Sequence, residues 1–388
     1  MTMLRILSGL LASTAAWQGT PSRSASGALP RDSTSCQPCH QKIFTTFSRT
    51  AHFKTSTPAD ARSIKGTFGE GHNRLRTRLD GVYFAMERRK DGFYQTGVDL
   101  ARGITRTERI DLVVGSGRRG QTYLYWKNGL LFELPVSYLT GTEQWINSPG
   151  YADGQIDFGR LIVPRCLECH STSFKLERGL GGVTYSPEYA LGISCTTCHG
   201  PGDQHIKYHA SRPRETSGKY ILNPGRFSRD RSLDNCALCH SGGRQPRKPS
   251  FSYRPGEALA NYLVSASDRA AIPDVHGDQV GLLRRSKCFR ASKDMSCATC
   301  HDVHQPQRNL TTLAGNCLKC HQVSRHTRTA EIGGRMLGLC IDCHMPSTRS
   351  NALQLNNATT QTAVYFRNHA IGIYREVAET LLRSSKPR

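Results

Sequence analysis

The chain has 388 residues, enough for two or three domains or one large one. Its 52 Lys and Arg against 30 Asp and Glu leave a formal charge of +22, which alone points to nucleic acid or another anionic surface. No aromatic-interleaved basic motif supports nucleic-acid binding, and no later segment is apolar enough to be transmembrane once the first 28 residues are set aside.

Residues 1–28 read as an export signal. Arg5 gives a positive start, 6–17 is a short apolar run, and the small residues from Ser22 to Ala28 suit cleavage; an uncleaved anchor is the alternative. A Cys-x-x-Cys-His pentamer follows at Cys36–His40. After it, helical spacing puts Phe44 and Phe47 on one side, with His52 a little beyond. The stretch 53–165 carries β signals. Runs at 82–86 and 93–95 flank Asp91-Gly92, and runs at 123–126 and 130–134 flank Asn128-Gly129, both strong hairpin cues. Gly115 to Gly120, with Arg118 and Arg119, lacks the Lys-Ser/Thr ending of a phosphate loop and reads as a strand-connecting turn. From Cys166 to His344 six more pentamers alternate with short helical pieces and Gly/Pro loops, at no fixed period. Beyond Pro346 the tail reads as polar and loose, then helical from Asn368 to Arg383, with Ile373, Tyr374, Val377 and Leu381 sharing a face.

The seven pentamers are Cys36/Cys39/His40, Cys166/Cys169/His170, Cys195/Cys198/His199, Cys236/Cys239/His240, Cys297/Cys300/His301, Cys317/Cys320/His321 and Cys340/Cys343/His344. Scattering 15 Cys and 15 His at random gives about 0.02 of them. Covalent haem attachment is a chemistry that needs this pattern. Two thiols add across the vinyl groups of one haem, and the adjacent His sits beneath the iron as proximal ligand. A zinc ribbon from Cys317/Cys320 with Cys340/Cys343, or local disulfides, leaves the His after every second Cys unexplained. The pattern implies seven covalently attached c-type haems, a haem maturation machinery as partner, and a periplasmic or extracellular location, where thioether attachment takes place. Fourteen propionates lower the charge to about +8 with ferrous irons, or about +15 with ferric ones. The 39 Arg against 13 Lys suit bidentate carboxylate pairing, although Arg-rich codon usage gives the same bias.

Intervals between the later motifs are too short for a side-chain core of their own. The expected fold is a multihaem cytochrome c: a haem-packed core of short α-helices and loops, with a β-hairpin-rich insert after the first haem site. The expected organisation is a signal peptide at 1–28, the first haem site plus β-rich insert at 29–165, a six-haem core at 166–346, and a polar tail with C-terminal helix at 347–388.

Several stretches carry a family resemblance: Asp111 to Gly117, Tyr123-Leu124, Leu134-Pro135-Val136, Cys198 to Gly202 with His205, Phe251 to Glu257, Cys297 to His304, and Cys343 to Pro346. They resemble one group of exported multihaem c-type cytochromes, similar to the nitrifier-type tetrahaem cytochrome c and to cytochrome domains that often precede tetratricopeptide repeats. The resemblance covers most of residues 30–375. It implies electron transfer without assigning a substrate, and it places axial ligands at His52, His205 and His304. Together with His369 and His72 these form the candidate distal set, while His209, His276 and His326 are the other spare imidazoles.

Chain reach constrains the pairing. Two His trans across one iron need Cα atoms about 12 Å apart, and three extended residues span at most about 10.8 Å. His304 therefore cannot cap the haem of His301, and His205 would need a fully extended path to cap that of His199. Each is expected on a neighbouring haem. Cys288, outside the motifs, reads as a packed thiol, with an intermolecular disulfide as the sharper alternative. The functional expectation is an electron carrier with mostly bis-His haems and redox-protein partners bearing acidic docking surfaces. The alternative is a reductase acting on a small nitrogen or sulfur oxyanion at one open haem.

Overall fold

The computed structural model describes residues 31–179, 182–265 and 273–384. The segment read as an export signal lies outside the described residues. Among them, no helix is long and apolar enough to cross a membrane.

Between the first two motifs the chain builds a two-sheet β module. The strands are β1 (Ser56–Pro58), β2 (Arg74–Arg76), β3 (Val82–Arg89), β4 (Gly92–Asp99), β5 (Ile104–Ile110), β6 (Leu112–Val114), β7 (Gly120–Lys127), β8 (Leu130–Glu133), β9 (Val136–Leu139) and β10 (Gln144–Asn147). One sheet runs β2-β3-β4-β5; the other runs β1-β6-β7-β9-β10, with β8 also on β7, and every pairing is antiparallel. Both hairpin cues close as hairpins. At Asn128-Gly129 both residues have positive φ, 51° and 74°, as a primed turn matching the strand twist requires. Gly115 to Gly120 connects β6 to β7, as its composition suggests, and Arg119 stacks on Phe366 with its guanidinium carbon 4.3 Å from the ring centre.

The period-2 pattern of β3, β4 and β7 fills the space between the sheets. Phe84, Met86, Ile110, Tyr123, Tyr125, Trp145 and Phe158 form one apolar cluster. The outer face of β6–β8 supplies Leu112, Leu124 and Leu131 to a second cluster with Leu167, Phe174, Tyr185 and Leu191. Leu167 lies inside the second Cys-x-x-Cys-His motif, so this cluster fastens the module to the motif-bearing half.

That half departs from the expected helices and loops in two places. A long hairpin, β11 (Ser171–Gly179) with β12 (Gly182–Leu191), fills the interval between the second and third motifs, and a short pair, β13 (Arg244–Pro246) with β14 (Leu263–Ser265), follows the fourth. The tail is not loose: β15 (Ser347–Asn356) and β16 (Gln361–Arg367) form a hairpin whose Leu355 and Val364 pack on Ile146. Its turn uses no Gly. The Asn357 side-chain oxygen accepts the backbone N–H groups of Thr359 and Thr360 at 3.0 and 2.9 Å, which does the same work. The C-terminal helix starts at Arg375, not Asn368. Asn368 instead accepts the Ala370 N–H at 2.9 Å in a local turn, and Ile373, assigned to the helix face, is 81% exposed while Leu382 is buried. Small side-chain clusters also form beside the later motifs, one of them Ala237, Leu238, Leu259, Tyr262, Leu263 and Val280. The core there is shared with these groups, contrary to the expectation that the intervals are too short.

Candidate haem-ligating residues

Each motif sits on a single helical or 3-10 turn. Cys195–His199 and the ends of Arg229–His240 and Met336–His344 are α-helical, whereas Cys297–Thr299 and Asn316–Lys319 are 3-10. Helical winding puts residues i and i+3 on one face, so both thiols emerge together with the His following them. In three motifs the His N–H donates to the first Cys carbonyl at 2.9 Å, closing the turn at His40, His301 and His321.

The structure brings most of the motif imidazoles against a second imidazole. Ring centres are 6.3 Å apart for His40 and His205, 6.1 Å for His240 and His52, and 6.0 Å for His199 and His304. They are 6.1 Å apart for both His301 with His369 and His344 with His326. An imidazole bonds a metal at about 2 Å, and its ring centre lies about 1.1 Å further back, so two rings trans across one iron stand about 6 Å apart. All five spacings fit. His276 is near enough to His170 to help depress its pKa, below the effect of burial, which gives a sixth association.

Tautomers fit as well. The Nδ1–H of His199 donates to the Leu222 carbonyl at 2.9 Å, that of His205 to Lys219 at 2.8 Å, and that of His344 to Gly372 at 2.8 Å. Each such bond leaves the Nε2 lone pair free for a metal and fixes the ring plane. His326 is the exception, since its Nδ1 accepts the Arg328 N–H at 3.2 Å. Burial lowers the pKa of His52, His170, His276 and His369, and takes His240 down to about 4, so these rings stay neutral, as ligands must.

Two sequence assignments change. His72 meets no motif histidine; its ring is exposed on the β module, where its carbonyl accepts the Trp145 indole N–H at 3.0 Å. The places opposite His170 and His344 go to His276 and His326. His321 has no ring, hydrogen-bond or ion-pair partner among the described residues. His209 lies beside His205, with ring centres 4.5 Å apart, and opposes no motif histidine. Three of the methionines beyond the leader, Met86, Met295 and Met336, are packed into apolar clusters.

The motifs also touch one another. Thiol pairs Cys36/Cys195, Cys169/Cys239 and Cys236/Cys297 are within hydrogen-bonding contact. Cys198 lies close to Cys236, and Cys317 close to both Cys300 and Cys340. Side chains that the motifs alone do not reveal hold these contacts. Arg165 pairs with buried Glu168 at 2.7 Å and donates to the Leu238 carbonyl at 2.6 Å, clamping the second motif to the fourth. Ser33 accepts the Cys195 N–H at 3.3 Å, and Asn316 donates to the Cys300 carbonyl at 3.1 Å. Thr55 bonds His170 Nδ1 at 3.0 Å, while Ser56 donates to the His170 carbonyl at 2.6 Å and accepts the Gly192 N–H at 2.9 Å. Isolated Ser and Thr residues carry no sequence pattern, so nothing local marks them.

Beside the fourth and fifth motifs a cavity of about 550 Å³ is lined by Arg229, Arg231, Arg244 and Arg284, with Asp230 and Asp234. The Nε atoms of Arg229 and Arg244 are buried there without a hydrogen-bond partner. Donors of this kind suit a carboxylate such as a porphyrin propionate. With the paired imidazoles and thiols, the residues present fit covalent haem.

Comparison with known proteins agrees with this geometry. Residues 147–200, which span the second and third motifs, match the family model for cytochrome c554 and c-prime. The multihaem cytochrome MtrA of Shewanella baltica is 24% identical over 210 residues, covering 52% of this chain and 50% of that protein. The dissimilatory sulfite reductase MccA of Wolinella succinogenes is 22% identical over 385 residues, covering 80% of this chain and 50% of that protein. The chain thus spans about half the length of both curated relatives. Among solved structures, the outer cell wall cytochrome OcwA superposes with a TM-score of 0.56 at 17% identity, over 89% of this chain and 79% of that one.

Proposed function

We propose that this chain, a multihaem c-type cytochrome, is an exported conduit that carries seven haems and passes electrons between redox proteins. The observation that carries the reading is the contact between motifs: every motif has a thiol beside a thiol of another. Haems attached at touching thiols are neighbours by construction. Cys36, Cys39 and their counterparts in the other six motifs would hold the macrocycles, and the motif histidines would be the proximal ligands. His205, His276, His304, His52, His369 and His326 would cap six irons. When bound, the haems supply one-electron chemistry; the protein holds them at fixed separations and keeps solvent from the irons.

An iron with two imidazole ligands exchanges electrons without binding substrate, and six such sites favour a carrier over an enzyme. One relative is a dissimilatory sulfite reductase, which keeps an oxyanion reductase as the second reading. A surface left positive after the propionates are counted favours acidic partners, with encounter rates falling as salt rises. The test is mass spectrometry with haem quantitation on protein matured in a competent host. Seven haems per chain are expected. Fewer, or zinc in their place, would overturn the reading.

A further inference from the structure

Fifteen histidines are available in the chain, and all lie in the described residues. Seven belong to motifs, and six of those have a second imidazole opposite or nearby. His321 is the seventh. His72 is exposed on the β module and His209 is packed beside His205, so neither opposes it. Three of the four methionines beyond the leader are packed in apolar clusters elsewhere, and the fourth, Met345, directly follows His344. The sulfur closest to hand is Cys288, which lies near Cys300 and Cys317.

We propose that the haem site built on Cys317, Cys320 and His321 keeps its second axial side open to a small exogenous anion. The inference rests on the seven-haem reading and singles out one site within it. The choice of an anion follows from local charge. Between Cys317 and Leu339 the chain places Lys319, Arg325, Arg328 and Arg335 against one carboxylate, Glu331, which is ion-paired to Arg328 at 2.7 Å. The remaining positive field favours a negative ligand at the neighbouring iron. Cys317 is also close to thiols of two other motifs, Cys300 and Cys340, so a ligand bound here would sit within reach of electrons from both neighbours. Nitrite, sulfite and cyanide are of this class.

The test uses the full haem-loaded protein, with haem content measured first. The oxidised protein should show one high-spin iron per chain, converted to low spin by nitrite, sulfite or cyanide with an affinity that falls as salt rises. The reduced protein should bind carbon monoxide, and the Cys317→Ala/Cys320→Ala variant should bind one equivalent less. Seven haems that are all low-spin, with no carbon monoxide bound, would overturn the inference while leaving the seven-haem reading intact. So would carbon monoxide binding unchanged in the double variant. Carbon monoxide binding with no response to any anion would overturn the choice of ligand class. Cys288→Ala covers failure of the double variant to fold: a high-spin iron that appears only in Cys288→Ala means that the thiol fills the position, and the site is closed.

Discussion

The backbone fixes the site most tightly at Gly192. Its φ is +65°, and a Cβ added there would stand 2.1 Å from the carbonyl oxygen of Phe53. The adjacent Ile193 N–H donates to the His52 carbonyl at 2.9 Å, so this approach sets where the His52 ring stands against His240. Gly192→Ala should cost more than about 1–3 kcal/mol and loosen the His52–His240 spacing; chemical melts and the low-spin signal would report the two effects. A gentler change tests the pairing itself. The ring of His304 stands against His199, three residues past the motif that chain reach forbids it to cap. His304→Ala should open the haem at Cys195/Cys198 and leave the one at Cys297/Cys300 six-coordinate. Carbon monoxide binding in the variant, with the affected haem identified by deleting each motif in turn, decides between them.

At the scale of elements, the β module has a charge-linked stability of its own. Glu133 at the end of β8 is 8% exposed, and burial pushes its carboxyl up to about 7 against the pull of Arg160, 3.3 Å away. A folded-state value above the unfolded one means that the native state holds the proton more firmly. That contribution is complete below about 4.5 and is lost as the pH climbs to about 7, an upper bound of about 3 kcal/mol. The melting temperature of the wild type should fall across this window relative to Glu133→Gln, whose side chain does not titrate. Parallel melting curves from pH 5 to 8 would refute the linkage. Elements differed in how far their sequence revealed them, for physical reasons. Haem attachment needs contiguous residues, and a primed hairpin turn needs Asn-Gly or Asp-Gly, so both are written locally. The β15–β16 hairpin turns on an Asn side chain instead of a Gly, and its apolar positions Leu353, Leu355 and Val364 sit among polar neighbours. Ring pairings such as His276 with His170 join distant segments and are decided by packing, which is why His72 and His276 could not be told apart beforehand.

Across the whole molecule the motifs form a branched path and not a single file. The first motif touches the third through Cys36 and Cys195, and the third meets the fifth through His199 and His304. The fifth, sixth and seventh follow through Cys300, Cys317 and Cys340. The fourth bridges the third and fifth, since Cys236 lies beside both Cys198 and Cys297. The second hangs on the fourth, held there by the Cys169/Cys239 contact and the Arg165 clamp. On this arrangement the second haem is a spur, and the fourth is its link to the rest. Removing the second attachment site with Cys166→Ala/Cys169→Ala should leave six haems that all exchange electrons rapidly. Removing the fourth with Cys236→Ala/Cys239→Ala should also leave six, but only five should equilibrate fast, because the path through His199 and His304 survives and the spur is stranded. Flash reduction followed at the haem bands separates the outcomes: a slow phase of one haem in the second variant and none in the first. A slow phase of several haems in the fourth-site variant would show that the fourth haem carries the main path. A slow phase in neither variant would show that the second haem has another route to its neighbours.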